Sequence, residues 1–207
     1  MAKQHLGTIG RPRATTFKNK GPTILLAFLV PSPDVSYPDE YAPKVRKYWH
    51  QVGRRIDELT GGLGPLRRIF HEGVNQGGEA GLSLVREVNP AGAPVIERLT
   101  AAGAHLEATE AQDLLDEQAD WNACSQLTLR SPRVRLIVSQ LVQETTLRRD
   151  QHVSQRIKDA VGKDDISVVF VREDHGLVFP EKAQILRVVP PVLNDLHRLL
   201  AEAGPAG

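Results

Sequence analysis

The sequence predicts an α/β protein built as a single three-layer domain, in which a mostly parallel sheet of about five strands is flanked by helices. Short apolar runs rich in Val, Ile and Leu alternate with longer segments whose apolar residues recur at helical spacing, and this alternation is typical of a parallel sheet. Two of the runs, 24–30 and 166–171, are almost wholly apolar, as expected of central strands covered on both faces. The chain of 207 residues, 41% hydrophobic and 25% charged, can bury a substantial core.

The amino-terminal segment differs from the rest in charge. Its first 20 residues contain no Asp or Glu and five basic residues, although the formal net charge of the whole chain is only +1: Lys3, Arg11, Arg13, Lys18 and Lys20. Because this segment also lacks hydrophobic periodicity, we predict a flexible basic tail over residues 1–21 and one α/β domain over residues 22–207. The tail either contacts phosphates of a nucleic acid or serves as a solubilising terminus.

The predicted elements follow from apolar spacing and from stop signals. The run TILLAFLV ends at Pro31, and the run ISVVFV is bounded by Asp165 and by a charged cluster. Thr109 and Gln112 have the spacing of a capping box for the helix that follows. The predicted strands are 23–30, 66–71, 104–108, 166–171 and 185–189, and the predicted helices are 43–59, 79–88, 94–102, 110–121, 132–161 and one after Pro190-Pro191. The short link before the last strand allows that one strand to be antiparallel.

The longest predicted helix, 132–161, begins at a strong start signal, Ser131 followed by Pro132. Its apolar stripe lapses between Thr145 and Arg149, so the sequence predicts either a break there or an end that projects toward a partner. Helical spacing places Arg149 and His152 on the same face as Thr145. The two residues either lie in solvent or pair with Glu173 or Asp174.

Polar residues follow three of the predicted strands at the point where each strand ends. Asp34 follows the first, His71 and Glu72 end the second, and Glu173, Asp174 and His175 follow the fourth. Because ligands of open α/β sheets bind at the carboxyl ends of the strands, we predict a site at this edge. The candidate catalytic residues are His175, His71, Asp174 and Glu72. The candidate ligands of a divalent metal are His71, His175 and Asp34.

Several familiar sites are not supported by the sequence. Gly73 and Gly78 have the spacing of the phosphate-loop glycines, but Glu79 and Ala80 stand where Lys and Ser or Thr are required. No dinucleotide fingerprint or nucleophile elbow occurs. The acidic residues between 110 and 120 are interpreted as a solvated helix face.

The compartment is inferred from two observations. The single cysteine, Cys124, excludes an internal disulfide, which fits a reducing compartment. The longest apolar run is too short to span a bilayer, and no secretory signal is recognised. We therefore expect a cytoplasmic protein without a membrane segment.

Two functional hypotheses remain open from the sequence. The first is a small-molecule ligand site at the sheet edge, hydrolase-like or lyase-like if it is catalytic. The alternative is a non-catalytic interaction protein that engages a nucleic acid, a ribonucleoprotein or a protein partner through residues 1–20 and helix 132–161.

Overall fold

The computed structural model describes residues 21–34 and 37–203. Residues 1–20 of the predicted basic tail lie outside the described residues, and its last residue, Gly21, is buried. The described elements run in the order β1 (Thr23–Phe28), α1 (Tyr41–Leu63), β2 (Leu66–His71), α2 (Gly78–Val88), α3 (Ala93–Ala101), β3 (His105–Leu106), α4 (Gln112–Ser125), α5 (Pro132–Ala160), β4 (Ile166–Val171), β5 (Gln184–Val188) and α6 (Val192–Ala203).

The five strands form one sheet in the order β3-β2-β4-β1-β5, and every pairing is parallel. The short link before the last strand had allowed that strand to be antiparallel, but it is parallel to the others. The chain after β4 first runs along α5, where the backbone N–H groups of Gly176 and Val178 donate to Asp150 and Ser154, and then returns to pair β5 with β1. This return over residues 172–183 gives β5 the same direction as the other strands.

Helices cover both faces of the sheet, which confirms the predicted α/β architecture. The ring of Phe170 in β4 lies 5.7 Å from that of Trp49 in α1, whereas its neighbours Val169 and Val171 border a small cavity together with Val153 of α5. Because successive strand residues point to opposite faces, α1 and α5 lie on opposite sides of the sheet. Ion pairs join α1 to α3 (Arg98 to Asp57, 2.8 Å) and to α6 (Lys44 to Asp195, 3.5 Å).

The core is centred on the two strands that the sequence marked as apolar throughout. All six residues of β4 and five of the six in β1 are buried. On the α1 side, Tyr48 packs against this layer and its hydroxyl donates to the carbonyl oxygen of Phe28 at 2.6 Å. A tyrosine is stable in this core because its one polar atom has a partner.

The predicted break in the long helix does not occur. Helix α5 is continuous from Pro132 to Ala160, and the Ser131 hydroxyl caps it by accepting from the Val134 N–H at 3.4 Å. The helix can remain regular where its apolar stripe lapses because buried polar side chains there have partners in other elements.

The predicted capping box of α4 is wrong. The residue before the first turn is Ala111, and its side chain provides no cap. The Thr109 hydroxyl instead accepts from the backbone N–H of His71 at 3.1 Å, since residue 109 still lies against the end of β2. Among the helices of the described ranges, none is both long enough and apolar enough to cross a membrane.

Candidate functional site

The carboxyl ends of β2 and β4 frame the crevice of this sheet. The two strands are neighbours, but the chain leaves β2 toward β3 on one side and leaves β4 toward β5 on the other. This divergence makes the gap between them the topological switch point, where doubly wound sheets bind their ligands. The residues that follow β2 and β4 are therefore the first to consider.

Glu72 and Arg172 follow these two strands and bind each other. Glu72 accepts from the backbone N–H of Arg172 at 2.7 Å, and its other carboxylate oxygen contacts the Arg172 guanidinium. The same guanidinium donates to Asp150 of α5 at 2.7 Å. Arg172 thus joins the ends of β2 and β4 to the helix that covers them.

A second ion pair lies beside the first. Arg149 of α5 donates to Glu110 at 2.6 Å, and the same nitrogen lies 3.7 Å from a carboxylate oxygen of Glu72. The backbone N–H of Gly73 also donates to Glu110 at 3.2 Å. We call these five side chains the edge network; its members are Glu72, Glu110, Arg149, Asp150 and Arg172.

The edge network contains three carboxylates against two guanidinium groups, and backbone donors offset the excess negative charge. The N–H groups of Gly73, Arg172 and Gly176 all point at its carboxylates. A Cβ atom at Gly176 would lie 2.8 Å from the Asp150 carboxylate, so a larger residue there would force that carboxylate to shift. Burial by itself lowers the pKa of Arg172, but the charges of Glu72 and Asp150 outweigh it and raise that pKa above its ordinary value.

The space enclosed by the edge network and its neighbours is only about 10 Å³. That volume is at the lower limit for a single water molecule, which needs about 10–15 Å³. The charged side chains therefore fill the crevice in this conformation. A ligand at the switch point has to displace one of their contacts or bind at the rim.

His71 faces away from the edge network, on the opposite side of the sheet. Its Nδ1–H donates to the carbonyl oxygen of Glu72 at 2.6 Å, and its Nε2 accepts from the Asn89 amide at 3.0 Å. Burial lowers the pKa of His71 to about 4, so the ring is neutral at pH 7. Both ring nitrogens are engaged, and His71 serves as a support behind the sheet edge.

His175 stands at the rim of the edge network and is partly exposed. Its Nδ1 accepts from the backbone N–H of Leu177 at 3.2 Å, and its ring meets that of Phe179 edge to face at 6.0 Å. Partial burial lowers its pKa, against the opposing charge of Asp150. His175 is therefore the imidazole that is accessible beside Arg172.

The remaining predicted carboxylates lie further out. Asp174 is 87% exposed and approaches the Arg172 Nε at 3.3 Å. Glu173 pairs with His197 of α6 at 2.8 Å. Asp34 is exposed, and its carbonyl oxygen accepts from the Tyr37 N–H at 3.3 Å. Within residues 21–34 and 37–203, no group of three or more His, Cys, Asp or Glu side chains is arranged to hold a metal ion.

The structure thus brings together Glu72, Asp174 and His175 around Arg172, while the ring of His71 lies behind them. Sequence reasoning missed Arg172, Asp150 and Glu110 as members of the site. Arg172 carried a usable signal, because it directly follows a wholly buried strand. Asp150 carried none, since a single acidic residue in a long helix is ordinarily exposed.

Two interpretations of the charged helices need correction. Glu110 does not belong to a solvated helix face: it precedes α4, and its side chain is 1% exposed against Arg149. Arg149 neither lies in solvent nor pairs with Glu173 or Asp174, because it points to the end of β2 instead. The helical face on which the sequence placed Arg149 is therefore covered in the structure. The predicted partners of Arg149, Glu173 and Asp174, were wrong.

Comparison of the chain with protein-family models, with curated protein sequences and with solved structures gave no match.

Proposed function

We propose that the carboxyl edge of the sheet binds a small anionic ligand, with Arg172 as the group that holds its carboxylate or phosphate. The observation that carries this proposal is the position of Arg172 at the switch point, fixed on one side by Glu72 and Asp150 yet still 24% exposed on the other. A guanidinium is planar, always charged and suited to bidentate contacts with carboxylate or phosphate oxygens.

Asp174 supports the proposal because its carboxylate stands where the anion of a ligand would bind. It approaches Arg172 from the solvent side and is 87% exposed. An exposed ion pair of this kind contributes only about 0–1 kcal/mol, so a ligand anion can replace it at small cost. Glu72 and Asp150 would keep the guanidinium oriented during that exchange.

His175 is the group that would supply acid–base chemistry to such a ligand. Partial burial lowers its pKa, it lies at the same rim, and its Nδ1 accepts from the Leu177 N–H, which leaves Nε2 as the nitrogen that carries the proton of the neutral ring. A hydrolase-like or lyase-like reaction needs a proton carrier of this type. A metal role for His71 fits less well, because His71 would first have to release Asn89.

The test is a titration of the ¹⁵N-labelled protein with inorganic phosphate and with small dicarboxylates, followed by NMR. We expect saturable shifts at Arg172 and His175. Asp174→Asn should tighten binding several-fold by removing the internal competitor, and Arg172→Lys should weaken it at least about 10-fold. Arg198→Lys, on the exposed face of α6, is the matched control and should change nothing. Binding that ignores both Asp174→Asn and Arg172→Lys would refute the proposal.

The alternative function, an interaction protein, is favoured by a different observation. All residues in the first turns of α5, 132–137, are exposed, and they include the apolar residues Val134, Leu136 and Ile137. The proposed partner is then a protein or a nucleic acid in the cytoplasm, bound through this helix and residues 1–20. Removal of residues 1–20 should abolish a nucleic-acid interaction that weakens steeply with salt, and should leave a protein interaction through α5 intact.

A further inference from the structure

Helices α4 and α5 form a hairpin over residues 112–146 that has little core of its own. Polar contacts hold its base together, with the hydroxyl groups of Thr145 and Thr146 donating to Glu117 at 3.1 Å and Gln118 at 2.9 Å. Its buried side chains are only four, and two of them are polar: Leu114, Gln118, Val138 and Thr145. Short helices gain most of their stability from packing an apolar face, and here that packing is incomplete.

The apolar residues that the hairpin does not bury are exposed. Of the ten large hydrophobic side chains that are exposed in the described residues, five lie between 127 and 147: Leu127, Val134, Leu136, Ile137 and Leu147. Leu136 is 59% exposed and Ile137 is 43% exposed. A concentration of this kind marks an interaction surface, because scattered single residues are the norm elsewhere.

Charge is separated along the same hairpin. Between residues 110 and 120, at the end near the sheet, the chain has five acidic residues and no Lys or Arg. Of these, Asp113, Asp116 and Asp120 form no ion pair within the described residues. Between 121 and 143, around the tip, the chain has three arginines and no acidic residue. Arg130 and Arg133 are exposed and likewise form no ion pair with a described residue, so the base is acidic and the tip is basic.

We propose that the occupant of this surface is a second copy of the chain, docked antiparallel so that the two hairpins form a four-helix bundle. A two-fold axis across the hairpins places the basic tip of each copy against the acidic base of the other, and it does so twice. It also brings Leu136, Ile137 and Leu147 of both copies into the interface, because helical spacing places these three residues within about 100° of one another on α5. A parallel arrangement would instead oppose tip to tip and base to base, with like charges in contact.

The first test is the mass of the protein in solution by analytical ultracentrifugation. We expect twice the chain mass of 22.8 kDa. The double variant Leu136→Glu, Ile137→Glu should raise the dimer dissociation constant at least about 100-fold, because it places unpaired charges in the bundle core. Val88→Glu, at an exposed apolar residue of α2 outside the hairpin, is the control and should remain dimeric. A monomeric wild type, or a dimer that survives the double variant, would overturn the proposal.

A charge exchange tests the antiparallel arrangement. The variant Arg130→Glu, Arg133→Glu opposes acidic tips to acidic bases, and the variant Asp113→Arg, Asp116→Arg opposes basic tips to basic bases. Each should dimerise about 10-fold to 100-fold more weakly than the wild type. This weakening separates the two arrangements, because in a parallel dimer each variant would only exchange one contact between like charges for another. An equimolar mixture of the two should restore the dimer, because one copy is then acidic and the other basic at both ends. A mixture that stays monomeric contradicts the antiparallel bundle, whatever the wild type does.

Discussion

At the scale of single residues, the two sides of the β2 terminus show how adjacent positions acquire different chemistry. His71 and Glu72 are consecutive, so their side chains leave the strand toward opposite faces. His71 enters an apolar layer and stays neutral, whereas Glu72 enters a layer that holds Arg149 and Arg172 and forms ion pairs with both. The division of roles is therefore set by strand alternation rather than by distance along the chain.

The neutral His71 makes the stability of the fold depend on pH. Its pKa is about 4 in the folded protein and 6.5 in the unfolded chain, so the unfolded chain binds the proton more readily between these values. Stability is then lost as pH falls from 7 toward 4, and the total loss is about 3 kcal/mol. Between pH 7 and pH 5 the share from His71 should be roughly 2 kcal/mol.

The measurement is the free energy of unfolding from urea titrations at pH 7 and pH 5. His71→Gln is expected to lower stability at pH 7 through the lost Asn89 contact, and to remove this share of the pH dependence. His197→Gln, at an exposed histidine of α6, is the control and should leave the dependence in place. If the free energy of unfolding fell equally between pH 7 and pH 5 in the wild type and in His71→Gln, His71 would not be the source of this pH dependence.

At the scale of elements, the two halves of α5 differ in how much of their surface is buried. Its second half is fixed by Asp150, Val153 and Ile157 in the body of the protein, whereas every residue from 132 to 137 is exposed. The start of the helix therefore depends on its own cap. The Ser131 hydroxyl is the side chain that satisfies one of the free N–H groups of the first turn.

Replacing that cap should loosen the start of α5 and little else. Ser131→Ala is expected to cost about 1 kcal/mol of local stability. Hydrogen exchange at Val134 and Arg135 should then become about 5-fold faster, while β4 stays unchanged. Ser139→Ala, on an exposed position of the same helix, should not accelerate exchange since Ala favours helix. Acceleration that spreads through β4 would contradict a purely local role.

The sequence predicted the elements better than it predicted the site. β2 and β4 have the bounds that their apolar runs indicated, because Pro65 and Asp165 mark their starts and polar residues mark their ends. The edge network could not be read in the same way, since Glu72 and Arg172 are 100 residues apart and Arg149 and Glu110 are 39 apart. Partners at such separations are chosen by strand order, which the sequence did not specify.

At the scale of the whole molecule, β4 is the central strand of the sheet. β4 is paired on both sides, with Val168 in register between Ile69 of β2 and Leu25 of β1. Among the described strands, β5 pairs with β1 alone, and its residues Ile185 and Arg187 are exposed. The centre and the edge of the sheet should therefore differ in how they open.

Native-state hydrogen exchange should separate the two. The amides of β4 are expected to exchange only through global unfolding, with opening free energies that fall with denaturant at the full slope. Amides of β5 should exchange through smaller openings that denaturant hardly affects. If β4 exchanged through the smaller openings and β5 did not, the assignment of β4 as the centre of the structure would be wrong.

The register of the first strand also decides when the protein can fold during its synthesis. β1 is synthesised before both strands that pair with it, β4 and β5, so that Thr23 waits for Ile166 and Gln184. Until those strands are made, the apolar run TILLAF has no partner among the described strands of the sheet. A nascent chain of this protein therefore carries an unpaired apolar strand while residues 29–165 are synthesised, and such a segment is prone to aggregation.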